Sequence, residues 1–542
     1  MKHLPRLAVF ATSVLCLSSV VGQTAPTGEK QPSPAPDHHD HRVVVCVWDG
    51  LRPDSVNEQD TPTLAKLARE GVFFTRHHPA YPSSTEVNGT AIATGCYPAT
   101  SGIIANREYR PDINPSKAVD TEVPAIVKRG DEVSGGHYLR RPTLAERLQA
   151  RGERTVIAGT KNVVLLHDRG RGERDPQRAS GKSVTLFGGA TLPPEAAANL
   201  AGVLGGPFPT EIRFPNQAPD VWTTRALTEV LWKDGPPRFS VLWLSDPDYT
   251  QHQHGVGSPP ARAALSNSDA SLATVLKALE AGGWRGSTDV FVVSDHGFST
   301  IGQGVDVARV LAEAGFHAGR EIKGPPQEDD VLVTGLGGSV YLYVVGHRAE
   351  TVRRVVEFLQ GTEFAGAIFT RQEGVPGTFP LAAVHIDSPA APDIALGMRW
   401  MDMAVNNGPL GLITNDGGRR PGQGTHASLS RYDMHNTLVA NGPSFAVGLR
   451  DEYPSGNTDL APTIAHLLGL PADPPFDGRV LREAFRGVSP KLPPVPEPER
   501  RDATGEGAMA GWRQYLQVTR FGGVDYIDEA NAMPPSRLPP VP

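Results

Sequence analysis

The sequence predicts an α/β protein with a mainly parallel central sheet that helices cover on both faces. Five short apolar runs alternate with helical patterns, at residues 42–48, 155–158, 239–244, 289–293 and 437–440. These runs are largely continuous instead of alternating with polar residues, which is typical of parallel strands buried on both faces. Such an alternation of strands and helices favours one layered domain, with inserted loops or a small cap near its site.

Residues that start and stop helices bound the helical segments. Thr61 and Pro62 begin one segment that Gly71 ends. Thr143 and Glu146 have the spacing of a capping box and begin another. Because both signals satisfy backbone groups that a helix end leaves unpaired, they support the helical half of the prediction.

The N-terminus has the layout of an export signal. A basic start precedes an apolar stretch from Leu7 to Val21 and then small residues, so residues 1–22 are predicted to be a cleaved signal peptide. The stretch is shorter than the ~20 apolar residues that span a bilayer, which disfavours a membrane anchor. We therefore expect an exported protein, periplasmic or extracellular, with no membrane span after cleavage.

Composition divides the rest of the chain into three parts. Residues 23–40 are predicted to be a flexible leader, residues 41–486 the folded domain that carries the site, and residues 487–542 a proline-rich linker and C-terminal tail. Inside the folded domain, residues 107–142 and 170–222 fit the alternation of strands and helices poorly. We expect these two stretches to be insertions at the mouth of the site.

Length and charge bound the class of protein. With 542 residues, 39% of them hydrophobic and 20% charged, the chain has the composition of a soluble globular protein. Its formal net charge of −7 offers no basic field of the kind that binds nucleic acids. A small anionic ligand would have to be met locally. Cys46 and Cys96 lie in apolar segments, where buried free thiols are expected.

Acidic and imidazole side chains follow the predicted strands. Asp49 follows the run 42–48, Asp248 and His252 follow 239–244, and Asp295 with His296 follows 289–293. Open α/β sheets bind their ligands at such carboxyl ends of strands. Carboxylates crowded there repel one another unless a cation neutralises them, and a mixed set of Asp and His suits zinc.

The spacing of these residues indicates two ions. Asp248 and His252, four residues apart, can reach one ion, and the adjacent Asp295 and His296 can reach a second. The first ion lacks a further histidine, which His426 supplies on a glycine-rich loop. Two other histidines, His254 and His435, are rival ligands that spacing alone does not eliminate.

Three hydroxyl side chains compete for the position of a nucleophile. Ser83, Ser84 and Thr85 stand directly ahead of a helical run that ends at Gly95. The start of a helix offers free N–H groups and a positive dipole end, which favour an anionic group. The structural alternative for Thr85 is a plain helix cap.

Together these motifs resemble the type I phosphodiesterase/nucleotide pyrophosphatase family of the alkaline phosphatase superfamily. The likeness covers roughly residues 41–486 and implies an alkaline-phosphatase-like fold. It is carried by Asp49-Gly50, Pro82-x-x-Thr85, Thr94-Gly-Cys-Tyr-Pro98, Gly102-Ile-Ile-Ala-Asn106, Asp248-x-x-x-His252, Ser294-Asp-His-Gly297, Gly424-Thr-His426 and Gly442-Pro-Ser-Phe445.

The resemblance implies two Zn²⁺ per chain and a covalent mechanism. It places one zinc on Asp248, His252 and His426, and the other on Asp49, Asp295 and His296 together with Thr85. It also implies that Asn106, which stands the family's 21 residues after the nucleophile, donates to a phosphate oxygen. This spacing selects Thr85 over the two serines. The implied reaction cleaves phosphodiester or pyrophosphate bonds through a phosphothreonine.

Two positions bear on the substrate. Nucleotide-cleaving relatives typically have an aromatic residue directly after the nucleophile, where this chain has Glu86, so nucleotide selectivity is in doubt. Lys161 follows the run 155–158, and phosphomonoesterase and phosphonatase relatives use such a lysine against a dianionic group. A phosphomonoesterase or phosphonate hydrolase is therefore the alternative function. The competing interpretation of Lys161 is a solvated surface lysine.

Two other classes fit the sequence less well. A catalytically dead binding protein would need a lost ligand, and none of the implied ligands is lost. A sulfatase would need an arginine where this chain has Thr100, and a calcium-type oxygen site. We therefore expect an enzyme that acts on a small phosphorylated substrate.

Overall fold

The computed structural model describes residues 40–171, 182–405, 408–488 and 492–533. The predicted signal peptide and all but the last residue of the predicted leader lie outside these ranges. In the described ranges no helix is both long enough and apolar enough to cross a membrane.

A nine-stranded sheet forms the centre of the fold, and it confirms the predicted α/β class. Five adjacent strands in the middle of it are parallel. Ala190–Leu192 pairs antiparallel at one edge, and on the other side Leu438–Asn441 is antiparallel to both its neighbours, while the outermost strand Leu449–Asp451 is parallel to Val72–Phe74. In spatial order the strands are Leu449–Asp451, Val72–Phe74, Leu438–Asn441, Thr288–Val293, Arg42–Trp48, Phe239–Leu244, Thr155–Gly159, Val184–Phe187 and Ala190–Leu192.

The strand Arg42–Trp48 shows why its sequence is continuously apolar. Val43, Val45 and Val47 enter one hydrophobic core, while the alternate residues enter a second core on the opposite face of the sheet. Since both faces are covered, no position from Val43 to Trp48 is left for a polar side chain, and Asp49 follows the end of the strand.

Helices cover the central sheet and connect its strands. The two predicted helix starts are confirmed: one helix begins at Pro62, and Thr143 forms a capping box with Glu146. The α-helices are Pro62–Glu70, Thr85–Thr94, Pro98–Ser101, Pro124–Val133, Leu144–Gln149, Ala196–Leu204, Gln217–Arg225, Asp248–His254, Pro259–Ala281, Val307–Glu313, Ala349–Gln360 and Leu460–Leu467.

Two further sheets follow the strand Thr288–Val293 in sequence. The four-stranded sheet runs in the order Trp400–Ala404, Leu410–Asp416, Ser299–Val305, Gly424–Thr425. The six-stranded sheet runs in the order Ala318–Gly319, Val331–Gly335, Ser339–Val344, Ile394–Met398, Ala365–Thr370, Phe379–Pro380. Two-stranded pairs join His77–His78 to Ser455–Gly456 and Arg107–Glu108 to Val119–Asp120. The antiparallel pairing of strands within 331–398 was not anticipated from the sequence.

The C-terminal segment differs from the predicted linker and tail. Three antiparallel strands, Glu499–Thr504, Arg513–Phe521 and Val524–Ala532, form a sheet that packs on the hydrophobic cores through residues such as Leu516 and Ile527. Gln514 points inward and bonds the main-chain N and O of Ile368. Because a polar residue occupies this buried position, the strand lacks a clean apolar alternation in the sequence.

Candidate metal centre

Adjacent strands of the central sheet end at one place, and each delivers a polar side chain there. Asp49 follows the strand Arg42–Trp48, Asp295 follows Thr288–Val293, and Asp248 begins a helix just past Phe239–Leu244. These strands are parallel neighbours, so their carboxyl ends lie side by side. The backbone N–H of Asp248 donates to the carbonyl oxygen of Asp49 at 2.9 Å, which ties the two loops together.

Two overlapping groups of buried side chains bring their ligand atoms together. In each group the atoms lie within 4.8 Å of one another. One group is Asp49, Asp295 and His296, as anticipated, and the other is Asp248, His296 and His426. His252 lies at the second group, with its Nε2 atom 3.2 Å from Oδ1 of Asp248. All six residues proposed from the sequence thus converge at one edge of the sheet.

The three imidazoles are oriented by backbone carbonyl groups. Nδ1 of His252 lies 2.9 Å from the oxygen of Gly424, and Nδ1 of His296 lies 2.8 Å from the oxygen of Gly297. Nδ1 of His426 lies 2.9 Å from the oxygen of Ser83. Because a carbonyl can only accept, each Nδ1 carries the proton and each neutral ring presents the lone pair of Nε2.

Each of the three carboxylates has one anchored oxygen and one oxygen without a hydrogen bond. Oδ2 of Asp49 accepts from Trp243 at 2.8 Å, Oδ1 of Asp295 accepts from the N–H of Gly50 at 3.0 Å, and Oδ2 of Asp248 accepts from Lys161 at 3.2 Å. The other oxygen of each is buried without a hydrogen-bond partner.

The unpaired oxygens face the lone pairs of the imidazoles. Oδ1 of Asp49 and Oδ2 of Asp295 lie 3.6 and 3.3 Å from Nε2 of His296. Oδ1 of Asp248 lies 3.5 Å from Nε2 of His426. Acceptors facing acceptors in a buried site repel unless a cation lies among them. Oxygen and nitrogen donors in this arrangement fit divalent metal ions, and the mixture of types fits zinc.

The charges of the site point to the same conclusion. Burial and the neighbouring Asp295 raise the pKa of Asp49 well above its usual value, despite the opposing effect of Lys161. Burial also acts to raise the pKa of Asp248, but His252 and Lys161 outweigh it and hold that pKa well below its usual range. A cation bound at Asp49 would take the place of the proton that this carboxyl otherwise retains.

Of the three candidate nucleophiles Ser83, Ser84 and Thr85, Thr85 is the one whose hydroxyl bonds a residue of this cluster. It is the first residue of the helix Thr85–Thr94, and its Oγ1 lies 3.3 Å from Nε2 of His296. Ser83 instead donates its hydroxyl to the carbonyl oxygen of Ser428, and Ser84 stands at the N-cap position without a side-chain hydrogen bond to the helix. The helix therefore aims the Thr85 hydroxyl, together with its own N-terminal end, at the carboxylates and imidazoles.

Asn106 lies beside the nucleophile helix. Its Oδ1 accepts from the backbone N–H of Glu86 at 3.2 Å. Because this bond uses the oxygen of the amide, the Nδ2 group is the one left to donate to a bound anion.

Lys161 is a buried residue of the site, so the interpretation as a surface lysine is wrong. It is 7% exposed, and its Nζ lies 2.9 Å from Oδ2 of Asp49 and 3.2 Å from Oδ2 of Asp248. Burial lowers its pKa, but Asp248 and Asp49 reverse the effect and raise the pKa well above the usual value. Lys161 therefore keeps its positive charge and also lies over the ring of Tyr249.

Several residues of the site were missed in the sequence. Trp243 belongs to the strand before Asp248 and bonds Asp49 from within the core. Asn457 donates to the carbonyl oxygen of Asp295 at 2.7 Å and to Asn88 of the nucleophile helix at 3.0 Å. No motif marks them because they act through single hydrogen bonds between segments far apart in the chain.

The rival histidines lie away from the carboxylates. His254 is exposed and packs against Phe214, and Nε2 of His435 lies 3.0 Å from the carbonyl oxygen of Thr75. Cys46 and Cys96 are free and buried, as expected. A cleft of about 1110 Å³ in the described part of the chain is lined by His435 but by none of the six Asp and His residues of the cluster.

His167 packs against Trp243, the residue that bonds Asp49. Its burial is expected to make the stability of the fold depend on pH. Its ring packs edge-on against Trp243, and burial lowers its pKa from 6.5 to about 3. Between these values the unfolded chain binds a proton that the folded protein does not, so stability is lost as pH falls through this window. In His167→Leu we expect the unfolding free energy to decrease less steeply as pH falls, by up to about 1.4 kcal/mol per pH unit.

Urea unfolding of the metal-free protein at pH 7, 6 and 5, with a chelator present, measures this slope. Metal-free protein is used because protonation would otherwise compete with metal binding. An unchanged slope in the variant would contradict the assignment to His167.

Comparison of the sequence with protein families decides its membership. The sequence model of the type I phosphodiesterase/nucleotide pyrophosphatase family matches residues 43–407. The chain belongs to this family. Its match includes Asp49, Thr85, Asp248 and Asp295, and it ends before His426. The family resemblance read from the motifs is therefore confirmed.

Individual relatives in the family are distant. Venom phosphodiesterase 2 of Crotalus adamanteus is 25% identical over 266 residues, which are 48% of this chain and 27% of that relative. Human ectonucleotide pyrophosphatase/phosphodiesterase family member 1 is 24% identical over 261 residues, 47% of this chain and 23% of that relative. The chain thus aligns with about a quarter of the length of these curated relatives.

A solved family structure has the same fold. Murine ectonucleotide pyrophosphatase/phosphodiesterase 5, an inactive form in complex with AMP, superposes with a TM-score of 0.55 at 17% identity. The superposition covers 80% of this chain and 96% of that one. The predicted alkaline-phosphatase-like architecture is confirmed at this level.

Proposed function

We propose that this family member is a metal-dependent hydrolase of phosphodiester or pyrophosphate bonds that uses Thr85 as its nucleophile. The observation that carries the proposal is the position of Thr85 at a helix N-terminus, with its Oγ1 3.3 Å from His296 inside the cluster of carboxylates and imidazoles. Relatives named phosphodiesterases and nucleotide pyrophosphatases support this reaction class.

Two zinc ions fit the donor set best. Asp248, His252 and His426 would hold one ion, while Asp49, Asp295 and His296 would hold the other. When bound, such ions lower the pKa of a hydroxyl that attacks phosphorus and neutralise charge on the leaving oxygen. Each carboxylate oxygen without a hydrogen bond lies beside an Nε2 lone pair, which supports this assignment of ligands to two ions. His296 lies close to both groups of ligands.

The protein's own residues bind and orient the phosphate. The helix that Thr85 begins presents the positive end of its dipole to the anion. Asn106 donates from Nδ2, held in that orientation by the N–H of Glu86. The Thr85 hydroxyl loses its proton, and its oxygen forms a bond to phosphorus as the bond to the leaving oxygen breaks and the leaving oxygen takes up a proton, giving a phosphothreonine. Water then attacks phosphorus in line, the bond from phosphorus to the Thr85 oxygen breaks, and a proton from the water restores the hydroxyl.

A phosphomonoesterase or phosphonate hydrolase is the second candidate, and Lys161 favours it. A buried, permanently charged ammonium group beside the site would attract the extra negative charge of a dianionic phosphate. The alternative role of Lys161 is structural: its ion pairs with Asp49 and Asp248 would hold these two carboxylates in place.

Lys161→Ala separates these two roles. If Lys161 binds the dianion, we expect kcat/KM for an aryl phosphate monoester to fall about ten- to a hundredfold, with a much smaller loss on the matching diester. Zinc content is measured in the same samples, because a loss of metal would lower both activities. Equal losses on the monoester and the diester would contradict a role of Lys161 in binding the extra negative charge of the monoester.

The proposal also covers where the enzyme acts and the size of its substrate. We propose a periplasmic or extracellular enzyme, on the basis of the N-terminal sequence and of relatives described as venom and ecto-enzymes. The AMP complex of the structural relative supports a small phosphate ester as the ligand, while Glu86 argues against base stacking in this chain.

A substrate panel tests the proposed function directly. Zinc-loaded protein is assayed on aryl diester, aryl monoester, dinucleotide pyrophosphate and phosphonate substrates side by side. We expect the diester or pyrophosphate to be cleaved fastest. Absence of turnover on every member of the panel would overturn the proposal.

A further inference from the structure

Two glutamates beside the nucleophile each have a buried oxygen without a partner. Glu86 directly follows Thr85 on the nucleophile helix and is 4% exposed. Its Oε2 has no hydrogen-bond partner, and neither has Oε2 of Glu122. Glu122 comes from the stretch 107–142 that the sequence analysis placed at the mouth of the site. A buried acceptor left unpaired costs stability, so its retention in a candidate site points to a ligand that satisfies it.

The two glutamates are tethered to the same neighbours. The backbone N–H of Glu86 bonds Asn106, and Thr121, which precedes Glu122, bonds the carbonyl oxygen of Asn106 through both its N–H and its hydroxyl. The backbone N–H of Val163 acts to lower the pKa of Glu122. Glu86 directly follows Thr85, and the electrostatic effect of Glu122 on the pKa of Glu86 places the two carboxyl groups near each other.

Lys161 adds a positive charge to the same place. The pKa of Glu86 is raised well above its usual value by burial and then by Glu122, while Lys161 opposes the rise. Burial likewise raises the pKa of Glu122, again against Lys161. The neighbourhood thus combines two acidic groups with one fixed cation.

These features narrow the chemistry of the ligand. A flat base has no aromatic side chain at position 86 to stack on. A cationic group would be repelled by the buried Lys161, and Glu86 and Glu122 offset this repulsion little, because their raised pKa values favour the uncharged form. Neutral hydroxyl groups donate hydrogen bonds to the oxygens of a carboxyl group at little electrostatic cost, so they satisfy both unpaired acceptors.

We propose that Glu86 and Glu122 form a subsite for hydroxyl groups on the part of the ester that stays attached to phosphorus. The substrate class is then a phosphate ester of a polyol. This inference rests on the proposed function, because it presupposes that Thr85 attacks the phosphorus of a bound ester.

The test compares two diesters that differ only in those hydroxyls, 4-nitrophenyl glyceryl phosphate and 4-nitrophenyl propyl phosphate. Both release the same nitrophenolate, so the leaving group is constant. We expect wild-type kcat/KM to favour the glyceryl ester by roughly tenfold, as for a ligand that satisfies a buried acceptor otherwise left unpaired. Glu86→Leu and Glu122→Gln should each remove most of this preference, whereas exposed Glu357→Gln should keep it.

Thermal unfolding distinguishes binding from a structural role. If Glu86 is held for a ligand, Glu86→Leu should raise the melting temperature while removing the preference, because it replaces an unpaired buried carboxyl by an apolar group. A wild-type enzyme that hydrolyses both esters equally well, or variants that keep the preference, would overturn the inference and leave the proposed function standing. If the enzyme hydrolyses neither ester, both the inference and the proposed function are overturned.

Discussion

Thr85→Ala is expected to lower kcat on an aryl phosphodiester by roughly a thousandfold or more, while the protein keeps its zinc. The reason is that Thr85 supplies the atom that attacks phosphorus, whereas six Asp and His side chains remain to hold the metals. Thr85→Ser should retain partial activity, because it keeps a hydroxyl at the start of the same helix.

The neighbouring serine provides the matched control. Ser84 is buried one residue before Thr85, and its Oγ has no hydrogen-bond partner. Removing that hydroxyl in Ser84→Ala should leave kcat within a few-fold of wild type. Near-normal turnover by Thr85→Ala, or a large loss in Ser84→Ala instead, would show that Thr85 is not the nucleophile.

Removal of metal is expected to have a similarly large effect. Chelation should reduce turnover to background, and zinc should restore it, with about two equivalents bound per chain. Asp295→Asn should lower the zinc content to about one equivalent, since Oδ2 of Asp295 is buried without any hydrogen-bond partner and would lose its charge. Metal analysis of the purified protein together with the rate measures both.

Asp269→Asn is the control for the loss of a buried carboxylate. Both oxygens of Asp269 already accept hydrogen bonds, from the N–H groups of Thr63 and Leu64. Its substitution should lower stability without changing zinc content. Protein that binds only Mg²⁺ or Ca²⁺, with zinc inhibiting it, would contradict the proposed zinc centre.

The positions of the candidate ligands could be predicted because they depend on short-range rules. Asp49 and Asp295 each follow a continuously apolar strand, and parallel neighbours must end at one edge of a sheet. The helix start at Thr85 and the capping box at Thr143 are likewise local signals. These elements therefore follow from sequence pattern alone.

Other features depend on contacts between distant segments. Lys161 is buried against Asp49 and Asp248, which follow other strands, and no periodicity in the sequence reports this. Glu122 reaches the site from an irregular stretch, where neither strand nor helix periodicity constrains the direction of a side chain. The C-terminal sheet was not predicted because Gln514 takes an inward position of its strand and bonds the backbone of Ile368, so the strand lacks the usual alternation of apolar and polar residues.

The stereochemical course at phosphorus tests the central claim most directly. Each in-line displacement inverts the configuration at phosphorus, so attack by Thr85 followed by attack of water restores it. Hydrolysis of an isotopically chiral phosphodiester by the zinc-loaded enzyme is therefore expected to give net retention. Net inversion would mean that water attacks the substrate in a single step, and it would contradict a covalent intermediate on Thr85.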